Sequence, residues 1–143
     1  MQISPQLYAE KQGQTDTETM FLLSLTFGLM DDPQGGICRM IETVEEARRE
    51  EGVEEAFRMT IATSDGETIY AARYASHDAQ PSLYHNAPGA VLEATDGERI
   101  ELPADGKLIL SEPLDDLPGH WEEVPETSWL KVSAGVAESS SLF

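Results

Sequence analysis

Two helical stretches followed by a run of short alternating segments predict an α+β fold for this 143-residue chain. Three observations carry that expectation. A capping-box tetrapeptide opens an apolar run at residue 15, and apolar residues recur at three-and-four spacing between residues 33 and 51. From residue 56 the hydrophobic period drops to two. The length suits one domain, so residues 1–143 are expected to form a single unit.

Taken in order, residues 1–14 read as an irregular lead-in punctuated by Pro5 and Gly13. Thr15-Asp16-Thr17-Glu18 then fits a capping box, with Thr15 as N-cap and Glu18 reaching back from the third helical position. Met20, Phe21, Leu22, Leu23, Leu25, Phe27, Leu29 and Met30 make the following helix apolar on more than one face, so it should be largely buried. Gly28 and the Asp31-Asp32-Pro33 turn end it. The second helix starts after Pro33 and runs to about residue 51, with Ile37, Met40, Ile41, Val44 and Ala47 as its buried stripe. Glu45 and Arg49 form an i,i+4 pair on its solvent side, and Gly52 suits the position just past its end.

Phe57, Met59 and Ile61 alternate with Arg58, Thr60 and Ala62 in a half-buried strand, and Asp65-Gly66 supplies a hairpin turn. The return strand covers residues 68–76, and a short strand is expected at 82–85. Strands at 91–94 and 99–102 flank Asp96-Gly97 as a second hairpin. Residues 107–111 form an apolar strand stopped by Pro113, and 129–133 a last one. The small, polar tail at 136–143 should be frayed.

Charge narrows the function classes. Twenty-seven Asp and Glu against nine Lys and Arg give a net −18, which repels phosphate backbones and anionic headgroups. Neither nucleic acid nor a membrane surface is therefore expected as a partner. Such a surface favours solubility, including in a salty medium. The single Cys38 precludes an internal disulfide. The first residues carry no basic-then-apolar leader, and residues 20–30 are too short to span a bilayer, so a cytoplasmic location is expected.

Most reactive signatures are missing from the sequence: it has no G-x-S-x-G, phosphate-binding loop, H-E-x-x-H or C-x-x-C. His77, His85 and His120 lie on separate segments without zinc spacing and read as loop or strand-end residues, so no metal site is expected. Asp31-Asp32 and Asp115-Asp116 read as solvated turn carboxylates. Cys38 sits near a helix start that could lower its pKa, but it neighbours the buried stripe, which favours a packing role. Asp16 by itself is an acidic first-turn residue favoured by the helix dipole.

The segment Gly13-Gln14-Thr15-Asp16-Thr17-Glu18 resembles the G-x-T-D-[ST]-E signature of class II glutamine amidotransferases. Three later blocks resemble the small stand-alone branch that includes the γ-glutamyl hydrolase of ergothioneine synthesis. They are Thr60-Ile61-Ala62-Thr63-Ser64-Asp65-Gly66, then Tyr70-Ala71-Ala72-Arg73-Tyr74-Ala75-Ser76, then Ser111-Glu112-Pro113-Leu114 with Trp121-Glu122-Glu123-Val124-Pro125. The resemblance implies the C-terminal half of an N-terminal-nucleophile hydrolase αββα sandwich. It also implies hydrolysis of a γ-glutamyl amide to glutamate plus ammonia or an amine, with no metal or organic cofactor.

In that family the nucleophile is an N-terminal cysteine, and the oxyanion hole also precedes the T-D-[ST]-E block. Here Met1 is followed by Gln2, so no catalytic residue carries over; the resemblance implies an inactive partial domain whose partner is the upstream half. The one site residue it transfers is Asp16, as the carboxylate that binds the α-ammonium of glutamine or a γ-glutamyl compound. Thr15 and Glu18 would fix its direction. Arg73 reads as a salt-bridged strand residue. The alternative is a non-catalytic half-domain that binds or self-associates through an uncovered sheet face.

Overall fold

In the computed structural model, which describes residues 3–93, 99–103 and 105–143, Ser4 and Pro5 begin a helix where an irregular lead-in was expected. This α1, Pro5–Ala9, is one turn with proline at its first position and the Ser4 hydroxyl accepting from the Leu7 N–H. α2, Asp16–Thr26, is capped by Thr15, and α3, Pro33–Glu50, by Asp32.

Both long helices stop in the same way. After α2, the Gly28 N–H bonds the Leu25 carbonyl and the Leu29 N–H bonds that of Ser24. After α3, Gly52 bonds Arg49 and Val53 bonds Arg48 in the same two registers. These are paired Schellman closures with a positive-φ glycine at each, +89° and +68°. Leu29 and Met30 thus lie beyond α2 rather than inside it. The helix is also less enclosed than its composition suggests: Leu22, Leu23 and Ser24 are buried, but Phe21 is exposed.

α3 buries Gly36, Ile37, Met40 and Ile41, whereas Val44 is half-buried and Ala47 exposed, so the stripe fades toward the C-terminus. Glu45 pairs with Arg48 at 3.7 Å, one residue earlier than the expected Arg49. At the N-terminal end, a Cβ on Gly36 would lie 2.8 Å from the backbone of Leu29, so only glycine permits this approach. Arg39 donates to the Phe27 carbonyl from both Nε (3.1 Å) and a terminal nitrogen (2.6 Å), placing a cation at the C-terminus of α2.

Residues 1–55 and 56–143 make two compact units. The second is built on a four-stranded antiparallel sheet of β1 (Arg58–Ser64), β2 (Thr68–Ala75), β8 (Ser128–Ser133) and β9 (Val136–Ser141), in that order. Between β2 and β8 the chain forms a three-stranded sheet, β6 (Ile109–Leu110), β3 (Tyr84–Asn86) and β7 (Trp121–Glu123), and a pair, β4 (Val91–Glu93) with β5 (Arg99–Glu101). β4 and β5 are antiparallel as expected, while the Asp96-Gly97 turn lies outside the described residues.

The tail corrects the sequence reading. Ala134 and Gly135 both take positive φ, forming a two-residue turn that folds β9 back onto β8 over six register pairs. Beyond β9, Leu142 is 1% exposed and its N–H bonds the Thr127 carbonyl, so the end of the chain is anchored rather than frayed. Ala71, Leu130 and Val132 share one face of the large sheet and pack with Leu83 and Val124 in the main apolar cluster. The opposite face of that sheet carries a stacked Tyr70–Trp129 pair. Among the described residues no helix is long and apolar enough to cross a membrane.

Candidate functional site

Asp16 is the first helical residue of α2 and is exposed. Its Oδ1 accepts from the Thr17 N–H at 2.7 Å and from the Thr17 hydroxyl at 3.4 Å. Oδ2 has no partner among the described residues. Thr15 performs the predicted cap, its hydroxyl accepting from the Glu18 N–H at 3.2 Å. The reciprocal half of the box is replaced by something stronger. Glu18 reaches past Thr15, with Oε1 accepting from the Gln12 N–H and Oε2 from the Gly13 N–H, both at 2.8 Å. A carboxylate thereby clamps two successive amides of the approaching chain with charge-assisted bonds. A Cβ at Gly13 would fall 2.9 Å from Oε2. Every conspicuous member of the Gly-x-Thr-Asp-Thr-Glu segment except Asp16 is thus occupied in shaping the backbone that presents Asp16.

The second unit holds its polar groups differently. Arg73 is 5% exposed on β2, and one terminal nitrogen donates to Glu123 Oε1 at 2.8 Å and to the Val124 carbonyl. The salt-bridged strand residue read from the sequence is there, and it joins the large sheet to β7. Its Nε is buried with no hydrogen-bond partner among the described residues. Asn86, 1% exposed, accepts from the Leu108 N–H at 2.7 Å and donates to the carbonyls of Ala87 and Gly106.

Asp115 departs from the expected solvated turn. It accepts from the Leu117 N–H (3.0 Å) and Trp121 Nε1 (3.2 Å), with His120 Nδ1 at 3.3 Å from its other oxygen. Desolvation works to raise its pKa, but these bonds outweigh it and hold the carboxyl below its usual value. Asp32, likewise, is a helix cap whose Oδ1 accepts from the Gly35 N–H at 3.0 Å.

The three histidines stay apart, each beside its own acid: His77 with Asp78, His85 with Glu122, His120 with Asp115. His85 is more buried than a loop or strand-end reading allows, because it is the middle residue of β3. No group of three or more metal-ligating side chains occurs among the described residues. Cys38 is half-buried, and burial, then Glu42 and Asp32, push its thiol pKa up against a smaller lowering by Arg39. Its thiolate fraction is suppressed, in keeping with a packing role.

No family model matches the chain. It is 29% identical over 145 residues to a Saccharomyces cerevisiae protein described as "Probable glutamine amidotransferase DUG3", covering 85% of this chain and 41% of that one. Its structure is similar to that of a glutamine aminotransferase class-II domain protein from Silicibacter pomeroyi. That likeness has a TM-score of 0.77 and 32% identity, over 97% of this chain and 56% of the other. The chain therefore spans about half the length of the proteins it matches. Capped helix, Schellman-closed helix pair and antiparallel sheets together form an α+β fold of the class II glutamine amidotransferase type.

Proposed function

We propose that this chain supplies the ammonium-binding carboxylate and part of the scaffold of a glutamine amidotransferase-type hydrolase acting on glutamine or a γ-glutamyl compound. One observation carries the reading. Thr15 and Glu18 spend their side chains on the backbone around Asp16, while Asp16 keeps one carboxylate oxygen free among the described residues. An α-ammonium needs such an acceptor, and a charge-assisted bond is roughly twice as strong as a neutral one. The site is open in this chain, and its remaining wall and the cysteine nucleophile come from polypeptide outside these 143 residues. The likeness to proteins about twice as long supports that division. The exposed apolar side chains Phe21 and Met30 support a polypeptide partner.

In the completed site the cysteine thiolate attacks the γ-carboxamide carbon, and the tetrahedral intermediate expels ammonia or an amine as it collapses to a γ-glutamyl thioester. Water then attacks the thioester, releasing glutamate and regenerating the thiol. Asp16 acts throughout by holding the substrate's ammonium, which fixes the distance from its γ-carbon to the sulfur.

Reading the frame upstream of Met1 for a Met-Cys start and an Asn-Gly block identifies the completing polypeptide. In the complete assembly, Asp16→Asn should raise KM by ~30-fold or more, equivalent to about 2 kcal/mol or more for an unmatched charged pair. An unchanged KM overturns the role given to Asp16. Glutamate release from glutamine by the 143-residue chain alone overturns the assignment of the nucleophile to other polypeptide.

A further inference from the structure

Outside the Asp16 region, a cavity of about 260 Å³ in the second unit is lined, among the described residues, by Val91, Arg99, Leu117 and His120. Its composition stands out in a chain with 27 acids and nine Lys and Arg. Among the described residues the Arg99 guanidinium has no carboxylate partner. His120 is oriented, since Asp115 engages Nδ1 at 3.3 Å and leaves Nε2 as the ring's other polar atom. Asp115 is itself fixed by the Leu117 N–H and the Trp121 indole. The opposite character comes from Val91 and Leu117, and Leu117 is half exposed with no polar function to explain its place. We infer that this cavity binds a small aliphatic monocarboxylate, its carboxylate on Arg99 and its chain against Val91, Leu117 and the ring of His120.

Four physical arguments select that class. A guanidinium fork matches a carboxylate bidentately. The apolar walls reward a hydrocarbon chain, which inorganic anions lack. The net charge of −18 penalises a phosphate dianion about twice as heavily as a monoanion. The volume lies just under the ~300–1,000 Å³ typical of drug-sized ligands, so the molecule is small. This inference is independent of the role given to Asp16.

The test is amide-detected NMR titration of the full 143-residue chain with hexanoate, hexanol and inorganic phosphate at fixed ionic strength. Hexanoate should shift the amides of Val91, Leu117 and His120 saturably, and Arg99→Gln should weaken its binding ~10-fold with the rest of the spectrum retained. Arg99 is exposed, so this variant does not threaten the fold. Phosphate binding as tightly as hexanoate overturns the proposal, and so does equal binding of hexanol. No shift at these residues, or hexanoate affinity unchanged in Arg99→Gln, overturns it as well.

Discussion

The start of α2 and the centre of the β2–β7 junction solve the same problem, fixing charged groups, by opposite means. Around Asp16 every bond spans six residues or fewer: Thr15 to Glu18, Thr17 to Asp16, Glu18 to Gln12 and Gly13. Around Arg73 the partners are 50 and 51 residues away, and Asn86 holds a segment 20 to 22 residues distant. A locally built site forms with its helix and remains exposed. A site built over long range exists only once the sheets have assembled, and its central groups, Arg73 and Asn86, are buried. The difference teaches where each kind of damage will show. Changes at the first should alter presentation of a carboxylate with little effect on global stability, whereas changes at the second should unfold the unit.

The largest effect is expected at Arg73. Arg73→Ala strips the donor from the fully buried Val124 carbonyl and leaves a void, at a cost of roughly 3 kcal/mol. Glu123 contributes little to that figure because it is half exposed and regains water. Arg73→Met keeps most of the volume and removes a buried Nε that already lacks a partner, so it should cost clearly less than the alanine variant. Urea denaturation of both variants decides this. Equal losses would mean that the polar contacts, not the packing of the long side chain, hold β2 to β7.

Gly36 comes next and tests the first unit at a tight backbone approach. Gly36→Ala must open a 2.8 Å contact with the Leu29 backbone, and neither helix can yield without disturbing the Gly28 closure. About 1–3 kcal/mol is expected, with the sign opposite to the usual gain from replacing a helical glycine by alanine. Thermal or urea unfolding followed by far-UV circular dichroism measures it. A stabilised variant would show that the α2–α3 contact is looser than described.

Glu18→Ala should cost only about 1 kcal/mol globally, since both of its bonds are exposed. Its sharper signature is local: the amides of Gln12 and Gly13 should lose hydrogen-exchange protection while those of β2 keep theirs. If protection were lost equally in both units, the contrast drawn between local and distant construction would fail.

That contrast also explains which parts of the molecule were legible in the sequence. The Thr15 cap, the α3 stripe, Gly52 and the Asp65-Gly66 turn are determined by residues within one or two turns of one another, so spacing alone reveals them. α1 is a single turn, too short to build a periodic signal, although Ser4-Pro5 carries its start. β9 has only Val136 and Ala137 as apolar residues, and its existence follows from pairing with β8. Spacing puts Glu18 in the right helix but with the wrong partner, because the amides that it binds belong to a loop whose course no periodicity describes. In the sequence Asp115 reads as half of a solvated pair. Its bonds to residues 117, 120 and 121 depend on a loop conformation that β7 pairing with β3 fixes.

The smallest expected effect lies at the β1–β2 turn, where local construction occurs inside the long-range unit. Asp65 Oδ1 accepts from the Thr68 N–H at 2.8 Å and from the Glu67 N–H at 2.9 Å, and the Tyr70 hydroxyl donates to Oδ2 at 3.3 Å. The Thr68 and then the Glu67 backbone bonds hold its pKa below the usual carboxylate value. Because the folded-state value is the lower one, the associated stability is present above the unfolded pKa and lost as pH falls through the folded one. Asp65→Asn should therefore differ most from wild type at neutral pH and converge with it at the acid end. Two contributions oppose each other at neutral pH, since the asparagine carbonyl can still accept from Thr68 while one charge is removed from a chain at −18. Measuring the stability difference at low and high salt separates them, because screening suppresses the general repulsion and leaves the hydrogen-bonded turn nearly untouched. A difference that persists unchanged into acid would show that the turn draws nothing from the ionised carboxylate. Local construction would then be a matter of shape in this unit, and of charge only at α2.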